Sequence, residues 1–572
     1  MKRREFIIKS ASAGFFLSAS RIFPAMINTQ NPQVVNALRF PPVLQPGENL
    51  VLRTTNVEVW PGTTTEVIAL NNSYPSPTII VNKGDNFSVN FENQHSEEAT
   101  IHWHGLLVPE MMDGHPKDAV MPGGSYTYTF PVYQRAGTYF YHSHAHNLTA
   151  KHVYKGFAGF FIVNDEDEIS LGLPSGEFDV PLLIQDRRSV NQPQFTYQPN
   201  MMDVMIGYLG NLPLVNGTPD AFFDVQKTLY RFRILNGSNA RVYKLGLSDN
   251  RNFWLIATDS GLKDHPAQIN NFFLAPGERA DILIDFSNYT VGESVVLKSL
   301  PFSGTGGTYP QGLEMNVLTF NIIGNGNSNG VVPDNLSTIE YYDINDIRRT
   351  RNFTFTRIMT GSNMHRINGL TFDINRIDEI IIKDELEEWK FINNTNEYHP
   401  IHIHGVMFQV YSRNGNTSLP PNDKGWKDTV LVNPNETVSV LVKFVDYSGT
   451  YLLHCHNLEH EDDGMMINIR IDNPTDVNDE ITSPGNFELY QNYPNPFNPT
   501  TKISYRLNTS SGKVSLSIYD VNGTLIEKIF EGQQSAGEYS FVWNASDYSS
   551  GTYFLKMNVD GIFKTIKLIY LK

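Results

Sequence analysis

At 572 residues the chain exceeds the ~250–300 residues at which single hydrophobic cores stop growing, so several domains are expected. Its 40% hydrophobic and 12% aromatic content is globular, and no apolar run reaches the ~20 residues a membrane span needs. A net charge of -16 argues against nucleic acid and anionic lipid as partners, and a single cysteine excludes an internal disulfide framework.

The N-terminus reads Lys2-Arg3-Arg4-Glu5-Phe6, then a short small-residue apolar stretch from Ser10 to Ser20. Residues 1–35 resemble a twin-arginine export signal, a route that carries folded cargo. The resemblance implies export by that machinery to the cell surface or exterior, with the periplasm as the alternative.

From residue 36 onward, short runs of Val, Ile, Thr, Tyr and Phe alternate with Pro, Gly, Asn and Asp turns, which predicts an all-β protein of stacked sandwiches. Period-two alternation is clear in Asn86–Phe91 and in Thr437–Val442. Two segments recur: Gly137-Thr138-Tyr139-Phe140-Tyr141-His142-Ser143-His144 returns as Gly449-Thr450-Tyr451-Leu452-Leu453-His454-Cys455-His456. Likewise Ile101-His102-Trp103-His104-Gly105 returns as Ile401-His402-Ile403-His404-Gly405. Domains at 36–168 and 336–474 are therefore expected to be copies of one plan. The region 169–335 between them, whose only histidine is His265, reads as a domain without metal.

Ten of the sixteen histidines fall into four clusters: His102/His104, His142/His144, His399/His402/His404 and His454/His456/His460. A pair spaced i, i+2 on a strand leaves one face about 7 Å apart at ~3.4 Å per residue, which suits two metal ions better than one. Eight such histidines divide as two, three and three over three ions. Cys455, between His454 and His456, points to the opposite face, where a second site must lie. Cys455 with His399, His460 and Met465 is the ligand set of a blue-copper electron-transfer centre. Structural zinc is tetrahedral and sulfur-rich, and a non-haem iron site wants two His and a carboxylate, so copper fits best. Trp103, between two ligands, is expected to pack on the opposite strand face. The remaining histidines, His95, His115, His146, His152, His265 and His365, read as surface or satisfied polar residues.

The motifs His102-Trp103-His104-Gly105, His142-Ser143-His144, His399-Pro400-Ile401-His402-Ile403-His404-Gly405 and His454-Cys455-His456-Asn457-Leu458-Glu459-His460 resemble the four signatures of multicopper oxidases, over residues ~40–475. The resemblance implies three cupredoxin-like Greek-key β-sandwich domains and four copper ions. It places type 1 copper on His399, Cys455, His460 and Met465, and type 2 on His102 and His402. The type 3 pair would take His104, His142 and His456 on one ion and His144, His404 and His454 on the other. The implied reaction couples one-electron oxidation of a small reducing substrate, entering at His460 and Cys455, to four-electron reduction of dioxygen to water. Asp113 and Glu461 resemble the proton-relay carboxylates of bacterial members.

Gly425-Trp426-Lys427-Asp428-Thr429-Val430 and Asp113-Gly114 bring the chain nearest to bacterial laccases, bilirubin oxidases and cuprous oxidases. The cuprous oxidases carry an acid and a methionine just before the first type 1 histidine, where this chain has Thr395 and Glu397, and a methionine-rich insertion that is missing here. A laccase-like donor, phenols or aromatic amines, is therefore expected. The alternatives are oxidation of cuprous ion, bilirubin oxidase-like activity, or a passive copper-binding electron carrier. Met359, Met364 and Met407 are read as core filler.

After Asp472 the chain turns Asp-, Asn- and Pro-rich, and 475–487 is expected to be a linker. Residues 488–572 read as a small immunoglobulin-like β-sandwich. Its Tyr493-Pro494-Asn495-Pro496-Phe497-Asn498-Pro499 segment and final Lys564–Leu568 strand resemble the sorting domain of type IX secretion cargo. A monomer is expected.

Overall fold

The computed structural model describes residues 36–304, 309–327, 330–358, 363–474, 487–507, 512–521, 523–559 and 562–572. The export-signal reading of 1–35, residues 475–486 of the expected linker, and Met359 lie outside the described residues. The chain forms two compact units: one holds Lys383–Ile469 with everything up to Arg376, the other Ile377–Ile382 with Arg470–Lys572.

The fold is mostly β, as expected. In the larger unit, a four-stranded sheet (Thr65–Leu70, Leu50–Val57, Asn86–Asn93, Ser125–Pro131) faces a second one (Ile79–Asn82, Ala158–Asn164, Gly137–Ser143, Ile101–His104). Phe87, Val89 and Phe91, every second residue of the first alternating run, are buried between them with Trp103, Tyr128, Phe130, Tyr141 and Phe161. The middle of the chain builds a seven-stranded and a five-stranded sheet around Phe232, Ile234, Ile282, Leu297 and Phe320.

A third sandwich repeats the first. The strands Gly449–Cys455, His399–Ile403 and Thr429–Val432 lie side by side, and a five-stranded sheet contains Glu387–Asn393 next to Thr437–Val442. Here the alternating run departs from expectation, because Ser439 and Leu441 are buried as well as Val438 and Val440. The strand is central, paired on both edges, and Ser439 satisfies its hydroxyl by donating to Glu388 at 2.8 Å.

The smaller unit holds a three-stranded sheet (Phe487–Leu489, Thr500–Leu507, Gly537–Asn544) and a four-stranded one (Leu525–Gln534, Gly512–Tyr519, Gly551–Val559, Ile562–Tyr570). Its own core of Ile503, Leu516, Trp543, Leu555 and Leu568 is fully buried. Among the described residues, no helix is long and apolar enough to cross a membrane.

Candidate metal centre

Strand register assembles the histidines in opposed pairs. His102 stands opposite His142 across the strands Ile101–His104 and Gly137–Ser143, and His402 stands opposite His454 across His399–Ile403 and Gly449–Cys455. Trp103 leaves the other face, edge-on to Phe87 and Tyr128 at 5.3 Å each, as alternation predicts. Between the two sandwiches, the Nε2 atoms of His102 and His402 come within 3.3 Å. His454 Nε2 lies 3.1 Å from His404 Nε2 and 3.4 Å from His144 Nε2. His142 Nε2 lies 3.4 Å from His104 Nδ1, and the ring of His456 sits 4.9 Å from that of His104.

The outer nitrogens decide what the inner ones can do. His102 Nδ1 is 2.8 Å from the Asp113 carbonyl and His402 Nδ1 is 2.8 Å from the Asp428 carbonyl. A carbonyl only accepts, so each Nδ1 carries the proton and each Nε2 a bare lone pair. Two lone pairs 3.3 Å apart repel, and a cation between them makes both ligands. His142 repeats the pattern, with Nδ1 donating to the Ser143 carbonyl at 2.8 Å, and His404 donates Nδ1 to Asp113 Oδ2 at 2.7 Å. His104 is reversed: Nε2 donates to Asp428 Oδ1 at 3.0 Å, leaving Nδ1 to face His142.

His456 is fully enclosed, yet neither ring nitrogen has a hydrogen-bond partner. It fits because Gly277 lacks a Cβ: one there would stand 2.9 Å from His456 Cδ2, at a φ of +81° that favours glycine. Burial holds these rings neutral, pushing His142 down to about 4, His144 to about 3, and His102, His402, His404 and His456 well below the usual range. Neutral imidazoles with converging lone pairs are what a metal cluster requires.

Across the strand, Cys455 Sγ lies 3.5 Å from His399 Nδ1 and 3.6 Å from His460 Nδ1, and those two nitrogens are 3.2 Å apart. Thr395 Oγ1 engages His399 Nε2 at 2.8 Å, and the Met205 carbonyl lies 3.2 Å from His460 Nε2, so both rings turn Nδ1 toward the sulfur. Met465 is fully buried and accepts from the Cys455 N–H through its carbonyl at 3.0 Å. Burial pushes the Cys455 thiol up; a metal ion reverses that by binding the thiolate. These donors fit copper better than zinc, since one thiolate with two imidazoles is the core of the blue-copper set.

Asp113 and Glu461 are buried beside the larger cluster rather than solvated in turns. Asp113 bonds His404, and Glu461 places Oε2 3.2 Å from His454 Nδ1 and Oε1 3.6 Å from His144 Nδ1. Asp113 Oδ1 is buried without a hydrogen-bond donor, whereas Glu461 Oε2 has His454 Nδ1 beside it. Burial, with Glu110 and Asp118 adding to it, pushes the Asp113 carboxyl well above its ordinary range.

Several residues that matter carry no local signal. Asp428 accepts from His104, from Thr429 at 2.9 Å and from Arg279 at 2.8 Å. His104 and Arg279 lie 324 and 149 residues away along the chain, and only the motif Gly425–Val430 hinted at Asp428. His365 stacks on His460 with ring centres 3.9 Å apart and holds Asp463 through Nδ1 at 2.8 Å. The six spare histidines divide as surface or satisfied polar residues: His146 and His265 are exposed, while His95, His115, His152 and His365 are buried, each with hydrogen-bond partners. Spacing along the chain is blind to partners contributed by other strands.

Comparison with known proteins closes the case. Residues 52–168 and 338–475 match the family models described as multicopper oxidase. The laccase of Bacillus subtilis (strain 168) is 32% identical over 472 residues, covering 72% of this chain and 91% of the laccase. The chain belongs to the multicopper oxidases.

As a multicopper oxidase it is also similar to the cell division protein FtsP of Photorhabdus laumondii subsp. laumondii, at 34% identity over 478 residues, 81% of this chain and 97% of that protein. The structure of the McoA multicopper oxidase from the hyperthermophile Aquifex aeolicus matches with a TM-score of 0.70 and 37% identity, over 76% of this chain and 99% of that one. The multicopper oxidase is a copper-dependent oxidoreductase that uses oxygen as acceptor.

One expectation fails. Residues 493–561 match the FlgD Ig-like domain, not a type IX sorting domain. The immunoglobulin-like sandwich was legible, but its Pro-rich lead-in and short strands are grammar shared by many small β-modules, and such grammar does not encode an address.

Proposed function

We propose that this multicopper oxidase holds four copper ions. Type 1 copper is assigned to His399, Cys455, His460 and Met465, type 2 to His102 and His402, and the type 3 pair to His104/His142/His456 and His144/His404/His454. Copper so held supplies one-electron storage and the four-electron reduction of dioxygen to water. The observation that carries this reading is the placement of Cys455: its sulfur faces His399 and His460, while its chain neighbours His454 and His456 face the larger cluster. A covalent path therefore runs from the sulfur to both rings. Residues 36–168, 169–335 and 336–474 are assigned to three cupredoxin-like domains, with copper bound within the third and between the first and third.

Asp113 and Glu461 are assigned as the groups that hold and pass protons, because each is a buried carboxylate in contact with cluster histidines, and Asp113 keeps one buried oxygen free of donors. Asp113→Asn and Glu461→Gln should each lower turnover per copper-loaded chain by about 10²–10⁴ while leaving the blue colour intact. Unchanged turnover would remove that role.

For the donor we favour a small organic reductant of the laccase type. The two positions where a cuprous oxidase carries its metal-binding pair are committed elsewhere: Thr395 to His399, and Glu397 to an ion pair with Arg357. Oxidation of cuprous ion keeps one specific support, the helix Met201–Ile206, whose Met205 carbonyl faces His460 and whose Met201 and Met202 are exposed. Of the three methionines weighed from sequence, Met364 is buried and Met407 half-buried, so this helix holds the better sulfur donors. The chain is proposed to act as an exported monomer, carried by the signal-like segment 1–35.

The test is direct. Copper-loaded protein should be blue and consume oxygen, and Cys455→Ser should lose both. Colour with no oxygen uptake would reduce the protein to an electron carrier. Turnover on a methoxyphenol that survives Met201→Leu/Met202→Leu supports the organic donor; activity confined to cuprous ion and lost in that variant overturns it.

A further inference from the structure

The first sandwich carries its own version of the blue-copper pocket. Ser143 occupies the place of Cys455 in the repeated strand, and the loop before the ligand strand is folded alike in both copies. Asn93 Nδ2 donates to the Glu97 carbonyl at 2.8 Å and Asn93 Oδ1 accepts from the His95 N–H at 3.0 Å. Asn393 makes the same two bonds, to the Glu397 carbonyl at 2.8 Å and from the Thr395 N–H at 2.9 Å. The scaffold is thus shared, but the side chains differ: His95 stands where the other copy has Thr395, and His152 arrives from the helix Thr149–Lys155.

These residues converge. His95 Nε2 and His152 Nε2 each lie 3.3 Å from the same oxygen, Glu97 Oε2, with their rings edge to face at 5.6 Å. The outer nitrogens are held by hydroxyls, His95 Nδ1 by Thr54 Oγ1 at 2.9 Å and His152 Nδ1 by Ser143 Oγ at 2.8 Å; each Nε2–H donates to the carboxylate, and a tautomer shift, with the hydroxyls turning to accept, frees both Nε2 lone pairs for a cation. Those hydroxyls fix the ring orientations and turn both Nε2 atoms toward the carboxylate. His95 and His152 are buried, and Glu97, 29% exposed, opens the group to solvent. A cation is already drawn there, because Lys151 Nζ lies 2.6 and 2.7 Å from the two Glu97 oxygens. Its flexible stem and partial exposure let it swing aside.

We propose that His95, Glu97 and His152 form an additional site for a divalent ion of the zinc or copper(II) class, separate from the coppers of the oxidase. Two imidazole nitrogens and one carboxylate oxygen, with the solvent side open, suit those ions. Occupancy pins the loop that leads into His102 and His104 to the helix Thr149–Lys155. Through Ser143 it also steadies the strand that carries His142 and His144. The proposal does not depend on which donor the oxidase uses.

The test titrates copper-loaded, full-length protein with zinc sulfate in a calorimeter, with copper content and blue absorbance followed throughout. One zinc per chain should bind with no loss of copper. Zinc-edge X-ray absorption should show imidazole scattering with nitrogen at about 2.0–2.1 Å. His95→Gln and Glu97→Gln should each weaken zinc by at least about tenfold, the loss that removing even a ligand's hydrogen-bond partner produces. Lys151→Met should tighten it, since the competing ammonium is gone. Equal zinc affinity in wild type and both ligand variants, zinc uptake matched by copper release, or no zinc uptake would each overturn the site.

Discussion

Asp428 is fully buried and serves three partners at once, His104, Thr429 and Arg279, so its charge is compensated and its geometry fixed. Replacing it by Asn removes the carboxylate nearest Arg279, leaving only Asp259 at 4.0 Å, and turns one of its two accepting oxygens into a donor amid the His104 and Arg279 N–H groups. Asp428→Asn should therefore weaken copper binding by roughly 10–100-fold, measured as copper retained per chain against a graded series of chelators. Gly277→Ala acts at the same scale by a steric route. Its methyl would press on His456 at 2.9 Å in a backbone region that penalises side chains. Loss of bound copper without loss of the fold, seen by metal analysis and circular dichroism together, is the expected result.

The helix Met201–Ile206 has only two turns and stands because its ends are tied. Asn200 accepts from the N–H groups of Met202 at 2.8 Å and Asp203 at 3.1 Å, while Asp203 reaches back to the Asn200 N–H at 3.0 Å, a complete capping box. The helix covers His460, the ring expected to meet the donor, which is fully buried. Asn200→Ala should cost about 1 kcal/mol of local stability, raising amide exchange in residues 202–206 about fivefold. If the helix gates the donor, bulky phenols should gain more than small ones in kcat/KM. Equal effects on both would show that it merely covers the ring.

The larger cluster exists only when the first and third sandwiches are both folded, since His102 and His402 are 300 residues apart along the chain and 3.3 Å apart in space. Copper held by His102 and His402 would tie the two sandwiches together, so its removal should lower the unfolding midpoint of the whole larger unit, not of one sandwich. The copper-free protein should also be acid-sensitive. Burial lowers the histidine pKa values, so below their ordinary value of about 6.5 the unfolded chain binds protons that the folded one refuses. That part of the stability is present above about pH 6.5 and is lost as pH falls toward the folded values of about 4 for His142 and about 3 for His144. Urea midpoints measured from pH 7 to pH 4 should fall for the copper-free protein. A flat profile would show that the rings are already charged in the fold.

The histidine clusters were legible because strand geometry is local: residues at i and i+2 share a face, and Cys455 between two histidines must take the other one. The duplicated plan and the all-β class were legible for the same reason, being written in periodicity and repeated segments. Tertiary structure alone decided which nitrogen of each ring is free, through Asp113, Asp428, Thr395, Ser143 and Met205. It alone buried Asp113 and Glu461, which the sequence could equally have placed in solvated turns, stacked His365 on His460, and gathered His95, Glu97 and His152 around one carboxylate oxygen. The physical reason is range: backbone alternation acts over two residues, whereas hydrogen bonds and desolvation act between groups that only a folded chain brings together.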